Sequence, residues 1–406
     1  MADFENAIND AIAAGDIPGC ALIAINRDGT FRYSKTFGKT SMNPEKAKPM
    51  QLDTMMWVAS CTKLMTSICA MQLVERGVLQ LDEPVYKHIP ELESFTVIKG
   101  FTDAGEPIEE KHKQPITLRR LLSHSSGLTY DAMHPKALAW LQHHKRLPNS
   151  SGKLLERFDC PLMFEPGEGW CYGSGIDFAG LLIERATNQT LEAYMKQNLW
   201  EPLGITDATF YLSKRPDLEA RLADMSERDP ESGRCKPSTS RPIYVDAQGN
   251  EMVDCLGGQG SFTCPQEYVK VLKAVLDCDV EREGNILKKA TVDELFKPQL
   301  TEASKATLNA ILADRSLSNA LGGLPLEIEK DHGLGGVLQL SDGADGKQAG
   351  TMIWGGLPNL IWWIDRKTGL CGIYAGQVTP PGDAKCCVLQ RKFEAGMYAK
   401  LAKEKL

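Results

Sequence analysis

The sequence predicts an α/β protein of the α+β kind, in which terminal helices flank an antiparallel sheet that carries a mostly α-helical insert. Two observations lead to this prediction. Strand-like segments occur at residues 20–37 and again from residue 257 onward, whereas the chain between them is largely helical or loop-like. The 406 residues, 42% of them hydrophobic, can also bury a large core. We therefore expect a sheet domain from residues 1–60 and 250–406, a mainly helical domain from residues 61–249, and an active site between them.

The first predicted elements are a helix and a β-hairpin. Apolar residues recur at helical spacing over residues 3–14, and Gly15 follows as a helix-ending residue. Residues 20–26 and 31–37 are β-rich runs joined by the turn sequence Arg-Asp-Gly-Thr at residues 27–30. A helix therefore leads into two paired strands.

The middle of the chain is predicted to be mainly helical, and strands return after it. Apolar spacing indicates a helix over residues 62–76, which begins just after Ser60 and ends at Gly77. Further helical segments are expected at residues 116–122, 135–144 and 176–186. Short strands between Gly, Asp and Pro turns are expected at residues 257–263, 333–340, 348–354, 360–364 and 370–376. A final helix over residues 383–402 closes the chain.

Composition and charge exclude several classes of partner. The 46 basic and 53 acidic residues give a formal net charge of −7, and no basic stripe is available for nucleic acid or an anionic membrane. The first ten residues carry acidic groups where a signal peptide would be basic and then apolar. No apolar run approaches the ~20 residues that a membrane-spanning helix needs. We expect a soluble, cytoplasmic protein.

Cysteine and histidine usage favours neither disulfides nor a metal. The 12 cysteines are scattered singly, apart from the adjacent Cys386 and Cys387, and form no CxxC pair, so we expect reduced, buried thiols. The seven histidines lack metal-ligand spacing, and His124 is expected to bond neighbouring backbone. No metal site is predicted.

The residues that indicate chemistry are Ser60-Cys61-Thr62-Lys63. A serine hydroxyl needs a base to become a nucleophile, and a lysine one helical turn later presents its amine on the same face. The spacing alone is weak, because Ser150 and Lys153 repeat it. Ser60, however, opens an amphipathic helix, whose free N–H groups and positive dipole end can serve an oxyanion, whereas Ser150 lies in a turn-like segment. Ser60 is therefore the predicted nucleophile.

The order of the sequence blocks resembles one enzyme superfamily. Ser60-x-x-Lys63 is followed by ITLRRLLSHSSGL at residues 116–128 and by PGEGWCYGS at residues 166–174. This order resembles the superfamily of class C β-lactamases, penicillin-binding proteins and family VIII esterases, and it implies a β-lactamase/transpeptidase-like fold. The likeness continues through EPLGITDATF at 201–210, GGQG at 257–260 and HGLGG at 332–336. Within the superfamily, YGSGID at 172–177 and GGLPN at 355–359 are most similar to the fungal lovastatin-type acyltransferases.

The resemblance implies roles for three residues. Ser60 matches the nucleophile that carries the acyl group, Lys63 the base beside it, and Tyr172 the phenol that passes a proton to the leaving group and from the incoming alcohol. A buried Lys63 cation would lower the pKa of Tyr172, or the two would share a proton, and which of them acts as base in each half-reaction stays open. The resemblance implies no metal and no organic cofactor.

Two segments compete for the third motif of the superfamily. Lys367-Thr-Gly369 spells the penicillin-binding triplet, but it lies between two apolar strands and has hairpin-turn chemistry. Trp354-Gly-Gly356 spells the esterase and acyltransferase replacement on a strand, where missing side chains would let substrate approach the backbone. We favour Trp354, Gly355 and Gly356. The N–H of Leu357, the next residue, would pair with the N–H of Ser60 as an oxyanion hole.

Five further residues are expected to line the substrate pocket, because they lie in or beside the matching blocks: Tyr130, Ser174, Gln259, Asn359 and Trp363. Core packing is an equally good interpretation of the aromatic members. Ser174 replaces an asparagine that the superfamily often has two residues after the tyrosine, which places β-lactam recognition in doubt. Glu165-Pro-Gly-Glu168 is expected to make a turn rather than to activate water.

Three hypotheses follow for the function. The first is an acyltransferase that moves an acyl group from a carrier-protein thioester, or a small thioester or ester, to a hydroxyl of a polyketide-like acceptor, so that an acyl carrier domain of a synthase is a possible partner. The second is a family VIII-type esterase in which water accepts the acyl group. The third is a non-catalytic or assembly protein with the same fold, and the presence of Ser60, Lys63 and Tyr172 argues against it.

Overall fold

The structure is a computed structural model, and it describes residues 3–131, 133–240 and 242–404. Its centre is a seven-stranded sheet in the order β10-β11-β12-β13-β14-β1-β2, with every neighbouring pair antiparallel. The strands are β1 Gly19–Asn26, β2 Arg32–Gly38, β3 Met56–Trp57, β4 Thr96–Phe101, β5 Pro107–Lys111, β6 Ala208–Thr209, β7 Ser226–Arg228, β8 Cys235–Pro237, β9 Phe262–Thr263, β10 Lys330–His332, β11 Val337–Gln339, β12 Met352–Gly356, β13 Leu360–Asp365, β14 Leu370–Ala375 and β15 Val378–Thr379. Both ends of the chain thus contribute to one sheet, which confirms the predicted fold class.

Helices cover the sheet and build the inserted segment. They are α1 Asp3–Ala13, α2 Thr62–Glu75, α3 Leu118–Leu122, α4 Pro135–His143, α5 Leu154–Arg157, α6 Gly175–Thr187, α7 Leu191–Met195, α8 Pro216–Glu219, α9 Pro265–Asp277, α10 Lys289–Leu295, α11 Glu302–Leu312, α12 Arg315–Ala320 and α13 Ala384–Glu404. Among the described residues, no helix combines the length and the apolar character needed to cross a bilayer.

The strand pairing shows which residues lie on the same face of the central sheet. Tyr33, Ala24, Gly372 and Trp363 form one cross-strand row and therefore share a face. On that face the terminal helices pack, because Phe393 of α13 contacts the rings of both Tyr33 and Trp363. The opposite face is left for the elements that carry the predicted nucleophile.

Helix α2 is buried almost along its whole length and packs against α6. A helix that is apolar on all sides belongs in the interior of a large protein. Its first residues follow a short 3₁₀ turn, Ala59–Cys61, that packs against β12. Ser60 is therefore held where the helical insert meets the sheet.

Some local predictions were wrong. Of the strand expected over residues 257–263, only Phe262–Thr263 is extended, and it pairs with β3 and β6 in a separate three-stranded sheet. The region from 265 to 320 contains the four helices α9–α12, which the strand-rich expectation for this half of the chain did not include. The helical insert also contains the hairpin β4–β5. Tertiary packing decides these short segments, because their local patterns suit either structure.

Candidate active site

The turn around Ser60 exposes one hydroxyl between buried neighbours. Ala59 has a φ of +46°, a left-handed conformation that is unusual outside glycine, and both Ala59 and Cys61 are buried while Ser60 is half-buried. The Thr62 hydroxyl donates to the Ala59 carbonyl over 2.6 Å. Strained backbone that the surroundings enforce is typical of functional sites. The turn presents Ser60 towards the cleft at the start of α2.

Lys63 lies one turn into α2 and its amine is enclosed by polar partners. The side chain is 1% exposed. Its Nζ lies 3.2 Å from Ser60 Oγ and 2.8 Å from the Tyr172 hydroxyl. It also lies 3.0 Å from the Tyr130 hydroxyl and 2.7 Å from the Gly258 carbonyl oxygen. One amine thus touches the nucleophile and the phenol that the sequence singled out.

Tyr172 completes the cluster from the loop that precedes α6. Its hydroxyl hydrogen-bonds Ser60 Oγ as well as Lys63 Nζ. The backbone N–H of Cys171, the preceding residue, donates to the His124 carbonyl over 3.1 Å, which fixes the entry to this loop. Ser60, Lys63 and Tyr172, which are 112 residues apart at the extremes, therefore form a closed triangle of hydrogen-bonding groups.

Burial sets the protonation of this triangle. Loss of solvent lowers the pKa of Lys63 to about 7, although the charge of Asp177 acts in the opposite direction. Burial raises the pKa of Tyr172 above its usual value, and the hydrogen bond with Ser60 only partly offsets this. The expectation that a Lys63 cation would lower the Tyr172 pKa was therefore wrong, because desolvation of the phenolate has the largest influence on that pKa. The alternative expectation, that the two groups share a proton, stays a prediction. Lys63 is the group whose pKa lies near neutral pH.

The third motif lies where the resemblance placed it, but for a different physical reason. Gly355 and Gly356 end β12. A Cβ on Gly356 would lie 2.4 Å from the Val58 carbonyl oxygen, so the missing side chain makes room for the turn that carries Ser60, not for substrate. Leu357 follows directly after this strand. The oxyanion hole formed by the N–H groups of Ser60 and Leu357 stays a prediction.

The remaining predicted pocket residues differ in how they lie relative to the Ser60 cluster. Tyr130 joins the cluster, as its contact with Lys63 shows. Gln259 is buried beside Gly258, with its carbonyl accepting from the Trp57 indole over 2.8 Å and its side-chain amide nitrogen without a partner among the described residues. Gln259 therefore stays a pocket prediction.

Three of those predictions need correction. Ser174 is fully buried at the start of α6, and its hydroxyl donates to the Thr129 carbonyl over 3.3 Å. Asn359 is used in its own turn, where its amide donates to the carbonyls of Val378 and Pro380 over 2.7 and 2.9 Å. Trp363 points to the face of the sheet covered by the terminal helices, where it contacts Phe393. Trp354, which pairs with the adjacent Trp362, lies on the opposite face and contacts Tyr172.

An aromatic and imidazole cluster supports Tyr172 from behind, and the sequence did not indicate it. The His124 ring stacks on Trp354 at 14° between planes and meets the Tyr172 ring edge-on at 5.1 Å between centroids. His332 packs against both His124 and Trp354. Burial lowers the pKa of both histidines, that of His332 to about 4, so both rings are neutral at physiological pH. The expectation that the His124 side chain bonds backbone was wrong, because neither ring nitrogen has a partner among the described residues.

Asp177 is the second feature that the sequence analysis missed. It lies in the first turn of α6, is fully buried, and accepts a 2.8 Å hydrogen bond from Tyr130 and a 2.9 Å hydrogen bond from the Gly258 N–H. A signal was present, since Asp177 is the only charged residue between Tyr172 and Glu184 in an otherwise apolar and small-residue segment. A single acid on a buried helix face requires a partner.

The rival motifs are accounted for by turns. Lys367 and Gly369 lie between β13 and β14, where the Gly369 N–H donates to the Asp365 carbonyl over 2.8 Å and Gly369 has a φ of +73°. Lys153 of the second serine–lysine pair forms an exposed ion pair with Glu156 instead of meeting Ser150. Neither segment reaches the Ser60 cluster.

The fold and the site together define a class of protein. The half-buried serine forms hydrogen bonds with a buried lysine and a tyrosine, where the antiparallel sheet meets the helical insert. This arrangement is typical of serine acyl-transfer enzymes with the β-lactamase-like fold. The chain belongs to the beta-lactamase family, whose family model matches residues 4–387.

Comparison with individual relatives specifies the kind of enzyme within this family. Monacolin J acid methylbutanoyltransferase of Aspergillus terreus (strain NIH 2624 / FGSC A1156) is 38% identical over 402 residues, which cover 98% of this chain and 95% of the relative. Lovastatin esterase of Penicillium rubens is 37% identical over 400 residues, with 98% of each chain covered. A solved structure of a mutant simvastatin synthase from Aspergillus terreus has a TM-score of 0.89 at 38% identity, and covers 98% of this chain and 95% of its own. These comparisons confirm the predicted similarity to the fungal lovastatin-type acyltransferases and the enzyme class, a serine-dependent acyltransferase.

Proposed function

We propose that this protein moves an acyl group from a thioester or ester donor to a hydroxyl of a polyketide-like acceptor through an ester on Ser60. The observation that carries this proposal is the contact of one buried amine, Lys63 Nζ, with both Ser60 Oγ and the Tyr172 hydroxyl. A nucleophile with a base and a second proton-transferring group in hydrogen-bond reach is the arrangement that covalent acyl transfer requires.

The first half-reaction forms the acyl-enzyme. With a pKa of about 7, Lys63 is largely neutral in mildly alkaline solution and can accept the Ser60 proton, directly or through the Tyr172 hydroxyl that contacts both groups. Ser60 Oγ attacks the donor carbonyl carbon, and the N–H groups of Ser60 and Leu357 would stabilise the oxyanion, each by about 3 kcal/mol. When the tetrahedral adduct collapses, the bond to the donor sulfur breaks. The proton passes from Lys63 through Tyr172 to the leaving thiol.

The second half-reaction reverses this order with an alcohol. The acceptor hydroxyl takes the place of the departed thiol and loses its proton through Tyr172 to Lys63. Its oxygen attacks the ester carbonyl, the bond to Ser60 Oγ breaks, and the proton returns to the serine. Tyr172 keeps its own proton at rest because burial raises its pKa, so it relays protons while Lys63 stores them.

A cavity beside the proposed oxyanion site supports a bulky substrate. Its volume is about 410 Å³, within the range of small-molecule pockets, and Leu357 lies in its wall. Its charged side chains are engaged elsewhere, since Arg228 pairs with Asp383 and Glu227 accepts from Ser238. The rest of the lining is mainly apolar and includes Trp57, Met225, Pro242, Ile243, Tyr244, Leu357 and Pro380. This surface suits the rings of a polyketide-like acceptor.

The proposal extends to the acyl donor and to the cellular location of the protein. Monacolin J acid methylbutanoyltransferase is named for a methylbutanoyl group and for monacolin J acid, which supports small-molecule substrates for this protein. We propose that the donor is either a small thioester or the thioester of an acyl carrier domain. The 12 cysteines, all within the described ranges, are unpaired and 11 of them are buried, as suits a reducing compartment such as the cytoplasm.

A second candidate function is hydrolysis of the same kind of ester. It is favoured by one observation, the 37% identity to lovastatin esterase over 98% of both chains, which nearly equals the identity to the transferase. The first half-reaction would be the same, and water would replace the alcohol in the second.

Partition of one acyl-enzyme between water and alcohol tests the choice. Purified enzyme is mixed with a 2-methylbutyryl thioester, with and without monacolin J acid, and free acid and acceptor ester are quantified by liquid chromatography. A transferase should release thiol faster when the acceptor is present and form the ester as the main product. Thiol release at an unchanged rate, with free acid as the main product, would instead identify the esterase. Ser60→Ala supplies the background for both arms.

A further inference from the structure

Asp177 reaches Lys63 by two routes without touching it. One carboxylate oxygen accepts a hydrogen bond from the Tyr130 hydroxyl at 2.8 Å, and the other accepts one from the Gly258 N–H at 2.9 Å. Tyr130 and Gly258 in turn supply the hydroxyl and the carbonyl oxygen that accept hydrogen bonds from Lys63 Nζ, at 3.0 and 2.7 Å. Two of the four polar contacts of Lys63 are therefore fixed by a single carboxylate.

The packing shows that this arrangement is built closely. A Cβ on Gly258 would lie 2.3 Å from Asp177 Oδ2 and 2.7 Å from the Tyr130 hydroxyl oxygen, so only glycine fits at position 258. Asp177 and Lys63 are 0% and 1% exposed. Buried charges of opposite sign that are linked by satisfied hydrogen bonds hold each other in place, since neither can turn to solvent.

We propose that Asp177 is a positioning residue that holds Lys63 towards Ser60, through Tyr130 and Gly258, and that its negative charge sets the pH at which Lys63 becomes a base. This inference rests on the proposed function only where Lys63 is taken as the base for Ser60. It adds a residue that neither the sequence motifs nor the names of the relatives assign.

Among the described residues that face Lys63, Asp177 is the one that carries a negative charge. From the 3₁₀ turn before α2, burial raises the pKa of the Cys61 thiol, which stays neutral. From the neighbouring loops and β10, Tyr130 and Tyr172 are kept as phenols, and His124 and His332 as neutral rings, by burial. Burial raises the pKa of Asp177 as well, and Lys63, the Tyr130 and Gly258 hydrogen bonds and the Arg157 charge oppose that rise. The carboxylate in turn raises the pKa of Lys63 against the effect of burial.

The test is the pH dependence of Ser60 labelling in Asp177→Asn. The probe is an alkyl fluorophosphonate, which reacts with activated serines and needs neither an acyl donor nor an acceptor, and labelling is followed by intact-protein mass. Removing an opposite charge at short range should lower the pKa of Lys63 by about one unit or more. The pH at which the labelling rate reaches half of its plateau, the midpoint of the rising limb of the rate profile, should then move from near 7 to near 6 or below. Expressed as a fraction of its own plateau, the labelling rate at pH 6 should increase about five-fold.

A matched control and a second variant complete the experiment. Glu184→Gln makes the same carboxylate-to-amide change on α6, at a side chain that caps the Leu191 N–H, and should leave the limb unmoved. Tyr130→Phe keeps the carboxylate and removes one link, so its plateau rate should fall about ten-fold or more because Lys63 is held less firmly. If Asp177→Asn does not fold, the Tyr130→Phe plateau decides.

Two results would overturn the inference. One is a folded Asp177→Asn whose rising limb coincides with that of the parent enzyme, and the other is an unchanged plateau in Tyr130→Phe. Normal labelling of the parent protein without any acyl transfer would remove the proposed function and leave the role of Asp177 intact. The two proposals can therefore fail separately.

Discussion

Gly356→Ala should disable the enzyme while leaving it folded. Gly356 is the last residue of β12, and its α-carbon faces the Val58 carbonyl oxygen, two residues before Ser60. An alanine Cβ at this position would lie 2.4 Å from that oxygen and 3.3 Å from Cys61 Sγ. Contacts between a side-chain carbon and a backbone oxygen are ordinary only from 3.4 Å, so the turn must withdraw by about 1 Å.

The magnitude follows from what that turn carries. A displacement of about 1 Å at a reacting group costs on the order of 100-fold in rate, because the nucleophile leaves its attack geometry. Insertion of a methyl group into packed structure costs about 1–3 kcal/mol of the free energy of unfolding. In a chain of 406 residues this lowers the melting temperature by only a few degrees. We expect about 100-fold slower acylation in a protein that is still folded at 25 °C.

The assay is stopped-flow acylation by p-nitrophenyl butyrate, with thermal unfolding followed by circular dichroism. Gly100→Ala is the control, since Gly100 is also a strand glycine and an added Cβ there meets nothing within 4 Å. It should acylate at the parent rate. Acylation of Gly356→Ala within a factor of three of the parent would refute the claim that this contact positions Ser60.

Three further predictions concern single groups. Labelling of the parent enzyme by a fluorophosphonate should rise with pH through about 7, because below that pH Lys63 is protonated and cannot accept the Ser60 proton; a limb near pH 10 in a rate profile from pH 5 to 11 would contradict a buried lysine base. Tyr172→Phe keeps the ring packed on Trp354 and removes the relay hydroxyl, so single-turnover transfer to an alcohol should slow by about 10²–10⁴-fold, and a transfer rate close to that of the parent would exclude the relay. Trp363→Phe should lower the free energy of unfolding, measured by urea titration, by about 1–2 kcal/mol, because that ring packs on Phe393. The KM of the acceptor should not change. A raised KM would show that Trp363 contacts the acceptor after all.

The nucleophile cluster could be predicted from the sequence because its information is local. Ser60 and Lys63 are three residues apart on one helix, and Tyr172 is marked by its own short block. The same local information predicted β1, β2, β13 and β14 and the terminal helices, whose apolar patterns are long enough to show a period. The bounds of α1, α2 and α13 differ from their expected bounds by at most two residues at either end.

What the sequence could not give depends on contacts across the fold. Asp177 and Gly258 are 81 residues apart, and their role appears only when the Gly258 peptide is placed on the carboxylate. Trp363 was assigned to the pocket because it lies beside a matching block, and a strand pattern shows that neighbours alternate but not which face meets the site. The glycines of β12 were correctly singled out for close approach, yet the group that approaches Gly356 is the chain's own Val58 carbonyl.

The measurement that tests the central claim most directly is intact-protein mass spectrometry after mixing the enzyme with a short acyl thioester, followed by peptide mapping. We predict that the parent protein gains one acyl mass, that the modified peptide carries it on Ser60, that the adduct persists in water, and that a hydroxyl acceptor discharges it. Ser60→Ala should show no adduct. Thioester consumption at the parent rate by Ser60→Ala, or an acyl group mapped to another residue, would contradict a Ser60 acyl-enzyme.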